Sequence, residues 1–343
     1  MADRTQADLF RRFQKWVVIA IAFGVILYVG ATIWAGWEQV GDSLAHFKWS
    51  AFAIAIALTL SNYFLRFLKW HYLVLKLGVK IPFWTNGWNF LAGLSMTISP
   101  GKAGELLKPY VLRRLTGVPM ARTIPALIAE RLTDGIAMLI LATIGLAMVS
   151  GSAEDADHWT KLLIVGVIIF SGLIVLASER LSVWIIEKMS FLPGVGKISP
   201  KLKEMYAAMR TCLAPTPFLF TIMLSIVAWG AECIAYMEIL SGLGVDASFG
   251  ACLFLYAFAT VIGIPMPAGL GATDGALVSF PSQFIPALKT MASASAIVVT
   301  ATLLTRVATM WFGVALGALA LFKVSALLGG ELEIQKEDES QLD

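Results

Sequence analysis

The sequence predicts an all-α polytopic membrane protein, with about six full transmembrane helices plus two re-entrant helical hairpins in an inverted repeat. Three observations carry this. First, 58% of the 343 residues are hydrophobic and 14% charged, and the mean hydropathy is +0.78, a balance that belongs to membrane-embedded chains. Second, apolar stretches of about 20 residues recur, the length that crosses the hydrocarbon core. Third, two further apolar pieces are each interrupted by a break rich in Gly or Pro that carries an acid. The strict alternation of a membrane β-barrel strand is absent from the sequence.

The first span covers about 16–35. Arg4, Arg11, Arg12 and Lys15 precede it, and no small-x-small cleavage site follows, so it reads as a retained helix and not a signal peptide. Full spans follow at about 50–69, 121–150, 160–178, 216–241 and 291–322. The apolar piece at 83–115 is broken at Ser99-Pro100-Gly101-Lys102-Ala103-Gly104-Glu105. The piece at 249–286 is broken between Pro265 and Asp274. Each is too interrupted for one helix and reads as two half-helices that enter and leave on the same side. Broken backbone at membrane depth is tolerated only where protein buries it or where it lines a wet cavity. The stretch 179–215 mixes charged and apolar residues, is split at Leu192-Pro193-Gly194, and reads as amphipathic helix at the interface. The acidic tail, 331–343, reads as disordered. Residues 1–343 thus form a single integral membrane domain, with repeat 1 at about 50–150 and repeat 2 at about 216–322.

Charge sets the expected orientation. With both broken pieces re-entrant and the N-terminus cytoplasmic, the outer side holds only Lys48, Lys161 and Lys289, while Arg131 and Arg306 lie within the membrane. All other Lys and Arg fall inside, as the positive-inside rule asks. A fully crossing first piece would put its basic flank, Lys108 to Arg122, outside. The expectation is a multi-pass protein of the cell inner (cytoplasmic) membrane with both termini cytoplasmic. Its two units then run in opposite directions, a design common among secondary transporters.

Candidate site residues follow from cost. Arg131 and Arg306 sit near the centre of their spans, where an unpaired arginine costs about 2.5–3.5 kcal/mol on insertion scales. Arg131 has Asp134 three residues on and Glu130 beside it, so it reads equally as an intrahelical ion pair or as a ligand-binding cation. Arg306 has no acid at helical spacing; its counter-charge must be Glu105, Asp274, Glu232 or an anionic ligand. Glu105 and Asp274 start the second half-helix of each hairpin, where a carboxylate favours the helix N-terminus. Half-helix N-termini also hold phosphate oxygens, so Gly101, Gly104, Gly269 and Gly271, with Lys102, are candidate binding positions beside the arginines. Glu105, Glu130, Asp134 and Asp274 are candidates for charge balance or proton coupling. Asn62, Arg66 and Lys69 share one helix face at the inner end of their span and read as an interfacial anchor for lipid headgroups.

Other chemistry has no support in the sequence. Cys212, Cys233 and Cys252 lack paired spacing, and His46, His71 and His158 lie far apart, so no metal site is expected. No metalloprotease, phosphate-loop or dinucleotide fingerprint appears. No catalytic residue, cofactor or nucleic-acid partner is expected.

The motifs Asn62–Arg66–Lys69-Trp70, Ser99 to Lys108, Glu130-Arg131-Leu132-Thr133-Asp134 and Pro267 to Gly271 together resemble the lysylphosphatidylglycerol synthase transmembrane-region family. The resemblance spans about 16–325. It implies a flippase-like domain that moves lipid between leaflets. In full-length synthases this domain is joined to a soluble aminoacyl-transferase domain; the chain ends at Asp343, so a stand-alone transmembrane domain without synthase activity is the expectation. Asp274 stands where a glutamate is common in the family. The expected substrate is a lipid with an anionic phosphate headgroup: a phospholipid, an aminoacylated lipid or a polyprenyl-phosphate carrier. The alternatives are a non-transporting accessory subunit of a lipid-modifying or glycosyltransferase enzyme, and a membrane-embedded transferase. A second copy of the chain or such an enzyme is left open as a partner.

Overall fold

A computed structural model describes residues 22–99, 104–149, 199–264 and 266–340. Helix α1 (Ala22–Ala35) turns at Gly36 into the short α2 (Trp37–Ala45). Then come α3 (Trp49–Lys76), α4 (Phe83–Ser95), α5 (Leu107–Thr116) and α6 (Met120–Val149). Beyond the interval 150–198 lie α7 (Ser199–Cys212), α8 (Pro215–Gly242), α9 (Phe249–Gly263) and α10 (Ala272–Ser279). Two single helical turns lead to α11 (Ala294–Arg306), which continues through a π-helical turn, Val307–Trp311, into α12 (Phe312–Ser340). No strand occurs among the described residues. Among the described residues four continuous helices are long and apolar enough to span a membrane: Trp49–Lys76, Met120–Val149, Pro215–Gly242 and Ala294–Gly329. The expected span at 160–178 and most of the interfacial linker lie outside the described residues.

The two broken pieces fold as helical hairpins. At 1.5 Å per residue, the 13 residues of α4 reach about 20 Å, short of the roughly 30 Å hydrocarbon core. After the break α5 packs back against α4: Asn89 Nδ2 donates to the Lys108 carbonyl at 3.2 Å. In the second hairpin α10 packs back against α9. Its tip is a tight turn in which Ala268, Gly269 and Gly271 all have positive φ (52°, 70° and 83°). The hairpin tips meet, with Ile98 of the first in one apolar cluster with Ala268 and Leu270 of the second.

The units interlock crosswise. Helix α3 packs along α8; the hairpin helix α4 of the first unit packs on α12 of the second; and the hairpin helix α9 of the second packs on α6 of the first. Exchanging the units maps this contact set onto itself. Glycines permit both crossed contacts. A Cβ on Gly145 of α6 would overlap the α9 backbone at Phe254 and Gly250, and one on Gly317 of α12 would overlap the α4 backbone at Ser95 and Leu91. Association of helices in lipid rests on such close backbone approach, because lipid tails offer no hydrophobic contrast.

Two expectations change. Helix α3 continues to Lys76, well past its expected end near residue 69; Arg66 and Lys69, which lowered the hydropathy near that end, are buried, while Lys76 is exposed. Helix α12 extends to Ser340, where a disordered tail was expected: adding Glu-rich residues to a helix already formed needs no new nucleation.

Candidate functional site

A cavity of about 280 Å³ lies between the hairpins. Both units line it: Arg66 from α3, Glu105 from the first hairpin, Arg131 and Asp134 from α6, Glu232 from α8, Tyr256 from α9, and Arg306 from α11. Helix spacing explains the assembly within each element. Arg131, Asp134 and Met138 follow one helical face, as do Trp229 and Glu232 on α8.

Both arginines bind the acid behind their own hairpin's break. Arg131 Nε stands 3.0 Å from Glu105 Oε2, and Arg306 Nε stands 2.9 Å from Asp274 Oδ1. Arg306 Nη2 also donates to the Ala268 carbonyl at 2.6 Å, clamping the second tip. Of the partners open to Arg306, the structure selects Asp274. For Arg131 the intrahelical ion pair is present alongside the Glu105 contact: Glu130 of the same helix accepts from Nη2 at 2.7 Å, while Asp134 stands 3.7 Å away.

Behind Arg131 lies a buried charge cluster. Lys69 is fully buried; its ammonium donates to Asp134 and, at 2.7 Å, to Ser225 Oγ. The Ser225 hydroxyl also donates to Asp134 at 3.0 Å. Lys108, 3% exposed, bonds Glu130 Oε2 at 2.5 Å and lies 4.4 Å from the Trp70 ring centroid. Asn62 is buried and donates to the Ala228 carbonyl at 2.8 Å, tying α3 to α8. The interfacial-anchor reading of Asn62, Arg66 and Lys69 is therefore corrected: their shared face is real, but it packs on α8 and α6 and meets no lipid interface. Buried charges persist only when paired and hydrogen-bonded, and Asp134 and Glu130 on α6 meet that need.

Arg66 differs from its neighbours. It is 8% exposed, and its nearest carboxylate oxygens, on Glu130 and Asp134, lie 3.7 and 3.8 Å away. Among the described residues its guanidinium makes no hydrogen bond and lies 5.2 Å from the Trp229 ring centroid. A stacked guanidinium with unused donors, facing a cavity, suits a planar or tetrahedral oxyanion.

The glycines have another role than the one expected. The Gly104 N–H is bonded to Ser99 Oγ at 2.7 Å, that of Gly269 to the Met266 carbonyl at 3.0 Å, and that of Gly271 to Asp274 Oδ2 at 2.8 Å. These donors are spent inside the tips, because a hydroxyl or acid of the same turn reaches them first. The glycines shape the breaks, and side chains supply the cavity's donors. Gly101 and Lys102 lie outside the described residues. Sequence reasoning missed Lys108 and Ser225 altogether. Lys108 sits three residues after Glu105, one helical turn along α5, which was the available signal.

A family model for the lysylphosphatidylglycerol synthase transmembrane region matches residues 17–317, enclosing every residue of this site. The chain belongs to that family. Two relatives from Methanothermobacter thermautotrophicus (strain Delta H) are each named UPF0104 membrane protein. One is 22% identical over 320 residues, covering 87% of this chain and 90% of that protein; the other is 27% identical over 210 residues, covering 55% and 61%. The family assignment and the four long apolar helices together make this a membrane protein.

Proposed function

We propose that this family member binds the anionic phosphate headgroup of a membrane lipid in the cavity between its hairpins and moves that lipid between leaflets. The observation that carries the reading is Arg66: a buried guanidinium facing the cavity without a hydrogen bond among the described residues, in company with Arg131 and Arg306. A negatively charged phosphate would satisfy its donors, while Lys69, Lys108 and Arg131 already hold closer carboxylates in Asp134, Glu130 and Glu105. Half-helix hairpins from two units meeting at one site suit alternating access, with acyl chains left in the bilayer. The charge distribution favours the cell inner membrane with cytoplasmic termini.

The test is lipid movement by the purified full chain in phosphatidylcholine vesicles carrying tail-labelled fluorescent phosphatidylglycerol, read by quenching the outer leaflet. Transfer of phosphatidylglycerol well above protein-free vesicles, with an uncharged labelled diacylglycerol unaffected by Arg66→Ala, is expected. Equal transfer by wild type and Arg66→Ala overturns the reading.

A further inference from the structure

The five buried acids around the cavity are not equivalent. Glu105 pairs with Arg131, Asp274 with Arg306, Asp134 with Lys69, and Glu130 with Lys108 and Arg131. Glu232 stands apart. It is 2% exposed and lines the cavity, yet no described cation forms an ion pair with it. Among the described residues its one hydrogen-bond partner is the Tyr256 hydroxyl, which donates to Oε2 at 3.0 Å. The groups facing it come from every wall: Tyr63 and Arg66 on α3, Tyr256 on α9, Arg306 on α11, and its own neighbour Cys233 on α8. Helix α6 reaches α8 two turns away, at the Ser225–Asp134 bond.

Charge counting then gives Glu232 a particular position. Among the described residues the cations around the cavity are the buried Arg66, Lys69, Lys108 and Arg306 and the partly exposed Arg131; the paired acids number one fewer, Glu105, Glu130, Asp134 and Asp274. Counted over the described residues, the site is electrically balanced when Glu232 is ionised. A singly charged headgroup entering the cavity restores that balance only if Glu232 becomes neutral. Two negative charges sharing one low-dielectric space disfavour each other strongly.

We propose that Glu232 couples the headgroup to a proton: its carboxylate takes one proton from water as an anionic headgroup enters, and returns it to water when the headgroup leaves on the opposite side. Lipid anion and proton thus travel together in one direction, and no bond other than O–H is made or broken. The four ion-paired acids, all of which the sequence nominated for this task, remain charged throughout. This inference rests on the lipid-transfer reading above.

The experiment uses the same vesicles, with a pH gradient of one unit imposed across them. One proton per singly charged lipid corresponds to a leaflet ratio of about tenfold per pH unit, with the probe accumulating in the leaflet on the alkaline side. The moving pair is neutral, so an imposed membrane potential should leave the ratio unchanged. In Glu232→Gln the gradient should produce no accumulation, whatever the absolute rate. Pyranine trapped in wild-type vesicles reports the proton without any substitution, and acidification that requires the lipid probe is expected. Movement at equal pH without accumulation under a gradient overturns the inference while sparing lipid transfer. So does accumulation on the acidic side, accumulation that persists in Glu232→Gln, or a pyranine signal indifferent to the probe. No movement at equal pH overturns both.

Discussion

Arg306 holds Asp274 at 2.9 Å, across a hairpin tip whose Ala268 carbonyl the same guanidinium also binds. The equivalent pair in the other unit, Arg131 and Glu105, stands at 3.0 Å. One device therefore occurs twice: an arginine from the following long helix pins the acid that starts the returning half-helix. Arg131 in addition keeps its helix neighbour Glu130 at 2.7 Å, a local partner of the kind that Arg306 lacks at helical spacing.

Removing Arg306 alone should leave Asp274 charged, buried and unpaired. Arg306→Ala is expected to cost about 3–5 kcal/mol of stability. The double variant Arg306→Ala/Asp274→Ala should recover most of that loss. Thermal unfolding in detergent, followed by tryptophan fluorescence, checks it; a double variant weaker than the single would show that the pair is not the source.

The burial of Lys69 and Lys108 predicts a labelling pattern. An amine-reactive, membrane-impermeant ester on native protein in detergent should modify the exposed Lys76 and Lys80. Lys69 and Lys108 should stay unmodified until the chain unfolds. Peptide mass spectrometry reads the outcome, and rapid modification of Lys69 would return it to the interface.

The crossed packing predicts that Gly317→Val and Gly145→Val each destabilise the protein by about 1–3 kcal/mol or more, since an added side chain must push two backbones apart. Gly230 in α8 has open space where its Cβ would stand. Gly230→Ala should therefore be neutral, or stabilise by about 0.5–1 kcal/mol through helix propensity. Melting of the three variants side by side decides the point.

Arg66→Ala should reduce phosphatidylglycerol transfer by at least about tenfold, the effect of one interaction worth about 1.4 kcal/mol. It should leave unfolding nearly unchanged, because Glu130 and Asp134 keep closer partners in Lys108, Arg131 and Lys69. Arg66→Lys should not restore transfer: an ammonium lacks the planar fork that stacks on Trp229. Initial rates in vesicles test both variants, and full rescue by lysine would argue for simple charge.

Much of the architecture was legible because lipid imposes strict rules on a chain. Span lengths read from hydropathy match α6 and α8 to within a residue or so, since backbone polar groups in hydrocarbon must be satisfied within a helix. Breaks marked by Gly and Pro became the tips of two hairpins. The cost of a buried arginine pointed to Arg131 and Arg306 as interior residues, and limited the partners of Arg306 to a short set containing the right one.

By itself, then, the sequence determined an all-helical membrane domain, two opposed broken hairpins and the need for counter-charges deep inside. Only the tertiary structure decided where each charge went. Helical spacing places Asn62, Arg66 and Lys69 on one face but does not say whether that face meets lipid headgroups or another helix. The packing of α3 on α8 and α6 settles it, because Asp134, Glu130 and Ser225 come from distant sequence to receive those cations. The same holds for the exchange of hairpins between units and for Glu232, whose distinction is the lack of an ion-pair partner among the described residues. Counter-charge and close backbone approach are relations between segments far apart in the chain, and no local pattern of residues encodes them.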